Sequence, residues 1–240
     1  IITGFLNTGL LPAMALVGAW SPTLSALLIT GVIKGKSGVS DLLKRGLQWR
    51  VRVKWYLIAF FSIAIIGLTG VGIHTALGGE MPQPALPGGM PVDQLYLFLP
   101  VIYLINIFIG GPIAEEFGWR GFALPRLQSS IGAAWAAIVI GIIWGVWHLP
   151  FFIFPDAGLV VGKIPFGFYL PLVTAWSVLF AWIYNNTRGS VLLMILFHAA
   201  INTTLGSLGL ANSPSGGFQL LIINLILTWI AVGVVVLVFG

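Results

Sequence analysis

Long apolar runs separated by short polar segments dominate this chain of 240 residues. Most runs approach the ~20 apolar residues that a helix needs to cross the hydrocarbon core of a bilayer. Together with the positions of Pro and Gly, the pattern predicts seven spans, near residues 8–33, 55–77, 95–113, 131–153, 165–184, 190–209 and 218–239. Ser21-Pro22 lies inside the first span, and proline lacks the N–H of a regular helix, so a kink or split there would give eight. We expect one domain over residues 1–240, an all-α polytopic membrane bundle of seven or eight transmembrane helices.

Composition excludes an ordinary soluble protein, because 58% of the residues are hydrophobic and 7% are charged, against roughly 25% charged in soluble domains. The net charge of +5 would suggest nucleic acid in a soluble chain. Here, however, most of the cations cluster in segment 34–54, as the positive-inside rule predicts for a cytoplasmic loop. We therefore expect no nucleic-acid partner. The absence of cysteine excludes disulfides and thiol nucleophiles.

Segment 34–54 is amphipathic as well as cationic, which favours an interfacial helix on the anionic cytoplasmic membrane surface. With this segment inside, segments 114–130 and 185–189 also fall in cytoplasmic connections. Membrane lipid is thus an expected partner, in the plasma (inner) membrane of a prokaryote or the endoplasmic reticulum of a eukaryote. The sequence starts with Ile1 rather than Met, which leaves room for an upstream helix, and it gives no sign of oligomeric state.

Charged and strongly polar side chains inside membrane spans are costly, and they mark function by default. In this chain they concentrate in three motifs: Glu115-Glu116-Phe-Gly-Trp-Arg120, Trp144-Gly-Val-Trp-His148 and His198-Ala-Ala-Ile-Asn202. Residues four apart share a helix face, so each motif presents two polar groups along one stripe. We expect three helices to bring these stripes into one polar pocket, with Gly141 and Gly145 allowing close helix approach.

Helical geometry separates the two glutamates. Glu116 lies one turn from Arg120 and can form an ion pair with it, whereas Glu115 points about 100° away around the axis. Glu115 is therefore the carboxylate left to meet other helices. Taken alone, each motif has a simpler interpretation: an interfacial anchor for the first, and interhelical hydrogen bonds for the other two.

Absent motifs narrow the chemistry. The three aspartates lie outside the predicted spans, which excludes an aspartyl dyad, and the sequence has no His-Glu-x-x-His zinc motif. No Gly-x-Ser pattern has a suitably placed histidine, so a serine nucleophile is poorly supported. A glutamate base with histidine support remains.

The three motifs, in this order, resemble those of the CAAX prenyl protease type II family, intramembrane glutamate (CPBP) proteases related to the eukaryotic Ras-converting CAAX endopeptidase. The resemblance covers about residues 95–205, and Trp144 stands where family members often have Phe. It implies an intramembrane endopeptidase without a cofactor, acting near the C-terminus of a prenylated or membrane-associated peptide.

The resemblance also implies roles for the motif residues. Glu115, assisted by His148, would activate a water molecule. His198 and Asn202 would donate hydrogen bonds to the tetrahedral oxyanion, in line with the general preference for N–H donors at developing negative charge. The supporting residues would be Glu116, Arg120 and Trp144.

Three alternatives stay open from the sequence. Glu115, His148 and His198 could hold zinc as a His₂Glu metalloprotease site. The protein could instead be a non-catalytic membrane scaffold or immunity protein of the same fold, or a transporter with a polar relay. With simple span edges the three motifs would also lie at different depths, so we expect a long helix continuing through Glu115 and a water-filled cleft that reaches it.

Overall fold

The computed structural model describes residues 10–84, 94–109, 111–153, 164–210 and 218–239. Throughout these ranges the regular structure is helical, which confirms the all-α prediction. In chain order the elements are α1 Leu10–Arg45, α2 Val53–Ala76, α3 Leu95–Ile109, α4 Pro112–Glu116, a π-helical segment Phe117–Ala123, α5 Leu124–Ile131, α6 Ala133–Trp147, α7 Leu149–Ile153, α8 Phe166–Asn186, α9 Val191–Ser207 and α10 Gln219–Phe239.

In the part of the chain that the structure describes, five stretches are long and apolar enough to cross a membrane, the third of them interrupted between α3 and α4: Val17–Arg45, Val53–Ala76, Leu95–Ile131, Phe166–Asn186 and Gln219–Val238. Two shorter apolar helices, α6 and α9, complete a set of seven that corresponds to the seven predicted spans. The protein is an integral membrane protein.

The bundle is organised around α8 and α9, which carry most of the buried hydrophobic side chains. The outer helices expose large apolar side chains instead, such as Leu28 at 70% and Leu237 at 87%. α3 contributes no buried side chain at all. Such faces are stable in lipid and would be unfavourable in water.

The predicted split at Pro22 is wrong, because α1 continues through this residue. Pro22 lacks the N–H that would bond the carbonyl of Gly18, and the Ser21 hydroxyl donates to that oxygen at 2.7 Å instead. A nearby hydroxyl of this kind lets a membrane helix tolerate proline. The non-helical residue in α1 is Gly35, with φ 63° and ψ −163°.

Segment 114–130 is also not a plain connection. It is helical over its whole length, as α4, the π-helical segment and α5. Gly118 lies so close to Pro22 of α1 that a Cβ atom there would overlap its backbone. The segment is therefore packed into the bundle rather than lying beside it.

The contact between α6 and α8 has the close approach expected from Gly141 and Gly145. A Cβ atom on Gly141 would lie 2.7 Å from the Cα of Thr174, and one on Gly145 would lie 2.5 Å from a methyl carbon of Leu170. Both distances are too short for real carbon atoms. The two glycines thus place the polar end of α6 directly against α8.

Gly141→Ala should destabilise the bundle by about 1–3 kcal/mol, because the added methyl meets backbone that cannot move aside. Thermal unfolding in detergent micelles measures the effect. Gly72→Ala is the matched control, since Gly72 is also helical but has nothing within 4 Å of its Cβ position. Equal melting temperatures for the two variants would contradict the packing argument.

Candidate active site

The structure brings the three sequence motifs together in the interior of the bundle. Glu115 and Glu116 lie on α4, Arg120 on the π-helical segment, Trp144 and His148 at the C-terminal end of α6, and His198 and Asn202 on α9. All are buried except Asn202, which is half-buried.

The predicted long helix through Glu115 is wrong. α3 ends at Ile109, Gly111 has φ 102°, and α4 starts at Pro112. A positive φ suits glycine and does not fit a right-handed helix, whereas proline suits the first helical position because no N–H is needed there. Glu115 therefore lies in the first turns of a new helix, with its backbone N–H bonded to the Gly111 carbonyl at 2.9 Å.

Glu115 is held by a tryptophan from another helix. The indole Nε1–H of Trp144 donates to Glu115 Oε2 at 2.7 Å, and both side chains are buried. The other carboxylate oxygen, Oε1, lies against Gly111 so closely that a Cβ atom there would overlap it. The glycine turn and the indole fix the position of the carboxylate from two sides.

Glu116 forms the predicted ion pair with Arg120, at 2.7 Å between Oε1 and Nη1. The same oxygen also accepts a hydrogen bond from Nδ1 of His198 at 2.8 Å. Arg120 lies between two aromatic rings, with its guanidinium carbon 4.3 Å from the centroid of Trp144 and 3.7 Å from that of Phe180. One buried ionic cluster thus joins α4, the π-helical segment, α6, α8 and α9.

The hydrogen bonds of the two histidines define their tautomers when neutral. Nδ1 of His148 is 2.8 Å from the carbonyl oxygen of Trp144, and Nδ1 of His198 faces the Glu116 carboxylate. Both partners only accept, so Nδ1 must carry the hydrogen in each ring. A neutral ring then has its lone pair on Nε2.

Trp144 is the centre of the arrangement. Its ring centroid lies 5.7 Å from that of His148 and 5.3 Å from that of His198, both edge to face. The sequence indicated only a supporting role for this residue. Its indole N–H binds Glu115, which a phenylalanine could not do.

Three further residues near the site escaped the sequence analysis. Tyr169 is buried with its ring 5.5 Å from His148, and Phe180 covers Arg120. Asn106 donates to Thr203 Oγ1 at 2.9 Å, next to Asn202. The rule that singled out Asn202, a polar side chain within a predicted span, applies equally to Asn106, whereas aromatic residues in a membrane chain give no such signal.

The alternative zinc site would need Glu115, His148 and His198 around one ion. Among the residues that the structure describes, no group of three or more His, Cys, Asp or Glu side chains is placed to hold a metal ion. One oxygen of Glu115 is instead occupied by Trp144.

Comparison with known proteins agrees with the motifs. Residues 97–204, which include all three, match the family described as type II CAAX prenyl endopeptidase Rce1-like. The chain is also 25% identical over 201 residues to CAAX prenyl protease 2 of Methanococcus maripaludis, which covers 81% of this chain and 72% of that protein. The resemblance drawn from the motifs is therefore confirmed, since residues 97–204 match the type II CAAX prenyl endopeptidase family and a CAAX prenyl protease is similar over most of the chain.

Proposed function

We propose that this protein is an intramembrane endopeptidase in which Glu115 activates the water that attacks the peptide carbonyl. The observation that carries the proposal is the buried Glu115 carboxylate, held through Oε2 by Trp144. We place the water on Oε1. A fixed carboxylate in a site with little solvent is suited to act as a general base, since its geometry needs no rearrangement during the reaction.

In this mechanism the water loses a proton to Glu115 while its oxygen bonds to the carbonyl carbon. The tetrahedral intermediate then collapses, the C–N bond breaks, and the leaving nitrogen takes up the proton that Glu115 accepted from the water. His148 assists from the end of α6, where its bond to the Trp144 carbonyl orients the ring with Nε2 as the acceptor.

The oxyanion of the intermediate needs donors, and we assign these to His198 and Asn202. Since Nδ1 of His198 already donates to Glu116, Nε2 can donate only when the ring is doubly protonated. The carboxylate of Glu116 holds the ring through Nδ1, and the same oxygen also accepts from Arg120. Glu116 is thus a positioning residue for His198.

For the substrate we propose a lipidated or otherwise membrane-anchored peptide. The candidate catalytic groups are buried among helices that are long and apolar enough to span a bilayer, so a peptide held at the membrane has the shorter route to them. The names of the matched family and of the Methanococcus maripaludis relative both describe prenyl proteases. A prenylated C-terminal peptide is therefore the first candidate to assay.

Glu115→Gln should reduce cleavage of membrane-anchored peptides by roughly 10²–10⁴-fold, the usual contribution of a general base. The amide keeps an oxygen that can accept from Trp144, so the protein should still fold. Glu80→Gln is the matched control because Glu80 is exposed and far along the chain from the motifs. Unchanged cleavage by Glu115→Gln would contradict the proposed mechanism. A wild type that cleaves none of the peptides would instead favour the scaffold or transporter alternatives.

Activity should survive exhaustive chelation, because the proposed base acts without a metal ion. The assay is peptide cleavage before and after treatment with a strong chelator, followed by addition of Zn²⁺. Loss of cleavage that Zn²⁺ restores would support the zinc alternative and rule out this mechanism.

Trp144→Phe should lower kcat by roughly ten- to a hundredfold. It removes a hydrogen bond to a carboxylate, and bonds to charged groups contribute about 1.5–3 kcal/mol. Trp135→Phe, on an exposed part of the same helix, controls for general effects of the exchange. Equal kcat values for the two variants would show that the indole N–H does not support catalysis.

A further inference from the structure

A second polar feature lies apart from the three motifs, in a cavity of about 410 Å³ between the C-terminal part of α1 and α5. One wall of the cavity belongs to α1. At Gly35 the chain turns, and the residues after this turn lie against the part of α1 that precedes it. Gly38 then lies against Thr30 and Lys34, so closely that a Cβ atom on Gly38 would overlap the Lys34 side chain. The opposite wall includes Gly121, which follows Arg120 in the chain.

The charge of this cavity is positive. Lys34, Arg45 and Arg126 line it, with Asp41 as the only acidic residue among the described lining. Asp41 has a partner outside the lining, Lys44, at 3.4 Å. The lining therefore has an excess of cationic groups that suits an anion.

Two features show a site that is built rather than a loose surface patch. Nη1 of Arg45 donates to the Tyr184 hydroxyl at 2.8 Å and to the Gly121 carbonyl at 3.3 Å, which fixes the guanidinium in place. Thr30 is only 3% exposed, and its hydroxyl oxygen has no hydrogen-bond partner among the described residues. Buried hydroxyls are nearly always partnered, so Thr30 points to a ligand that supplies the missing bond.

The apolar surroundings indicate where the anion comes from. Ile33 also lines the cavity and is 67% exposed. From there, an exposed apolar face of α1 continues along its membrane-spanning part through Val32, Ile29 and Leu28. A molecule with its anionic group in the cavity could thus lay hydrocarbon chains along α1.

We propose that this cavity binds the phosphate of an anionic phospholipid, with the acyl chains along the exposed face of α1. Lysine and arginine bind phosphate through charge-assisted hydrogen bonds, and cations at the cytoplasmic membrane surface attract anionic lipids. The site is independent of peptide hydrolysis, because it uses none of the motif residues.

Native mass spectrometry of the full chain in detergent tests the proposal, with phosphatidylglycerol, phosphatidylcholine or inorganic phosphate as the added probe. Lys34→Gln/Arg126→Gln should weaken phosphatidylglycerol binding by roughly ten- to thirtyfold. The control Arg52→Gln/Lys54→Gln removes two cations of segment 34–54 that do not line the cavity. This control should leave phosphatidylglycerol binding unchanged. Thr30→Val, which keeps the side-chain shape, should weaken binding several-fold.

Equal weakening by the two double variants would overturn the proposal in favour of diffuse surface attraction. Phosphatidylglycerol binding that is unaffected by Thr30→Val would likewise show that the phosphate does not enter the cavity interior. Saturable binding of inorganic phosphate as tight as that of phosphatidylglycerol would identify a free-anion site instead. Since the readout is binding, a wild type inactive towards peptides would leave these outcomes unchanged.

Discussion

The structure depends on one buried carboxylate oxygen, Oε1 of Glu116. It accepts from Arg120 and from His198, and both partners are buried like the carboxylate. Removing one partner of such a pair leaves an uncompensated charge in the protein interior, typically at a loss of about 3–5 kcal/mol. That is a large part of the ~5–15 kcal/mol by which folded domains are usually stable. The cluster therefore fixes the relative positions of α4, the π-helical segment and α9, and with them the neighbouring Glu115.

Aromatic rings make this cluster tolerable inside the bundle. Arg120 lies between the faces of Trp144 and Phe180, which can stabilise a cation where water is scarce. Trp144 uses its ring for Arg120 and its N–H for Glu115, so one side chain contacts both the ionic cluster and the proposed base. Trp144 thus links the two glutamates: it bonds Glu115 directly and contacts Arg120, the ion-pair partner of Glu116.

Local patterns in the sequence predicted those features that depend on local geometry. The apolar spans, the Glu116–Arg120 pair and the close approach at Gly141 all follow from helical spacing, and the structure has each of them. The misplaced features depend on side-chain and backbone details that helical spacing does not specify. Pro22 stays within α1, where the Ser21 hydroxyl bonds the Gly18 carbonyl, and Glu115 meets Trp144 from a new helix that starts at Pro112.

The turn at Gly111 has a consequence for recognising related sequences. Two separate demands act on this residue, a backbone conformation with φ 102° and the lack of space for a Cβ atom beside Glu115. Proline follows because it starts the new helix. The informative pattern is therefore longer than the glutamate pair and its arginine, and extends upstream to Gly111-Pro112-x-x-Glu115-Glu116. A distant homologue that has the glutamates but a bulky residue in place of the glycine would need a different path into the helix, and its first carboxylate would point elsewhere.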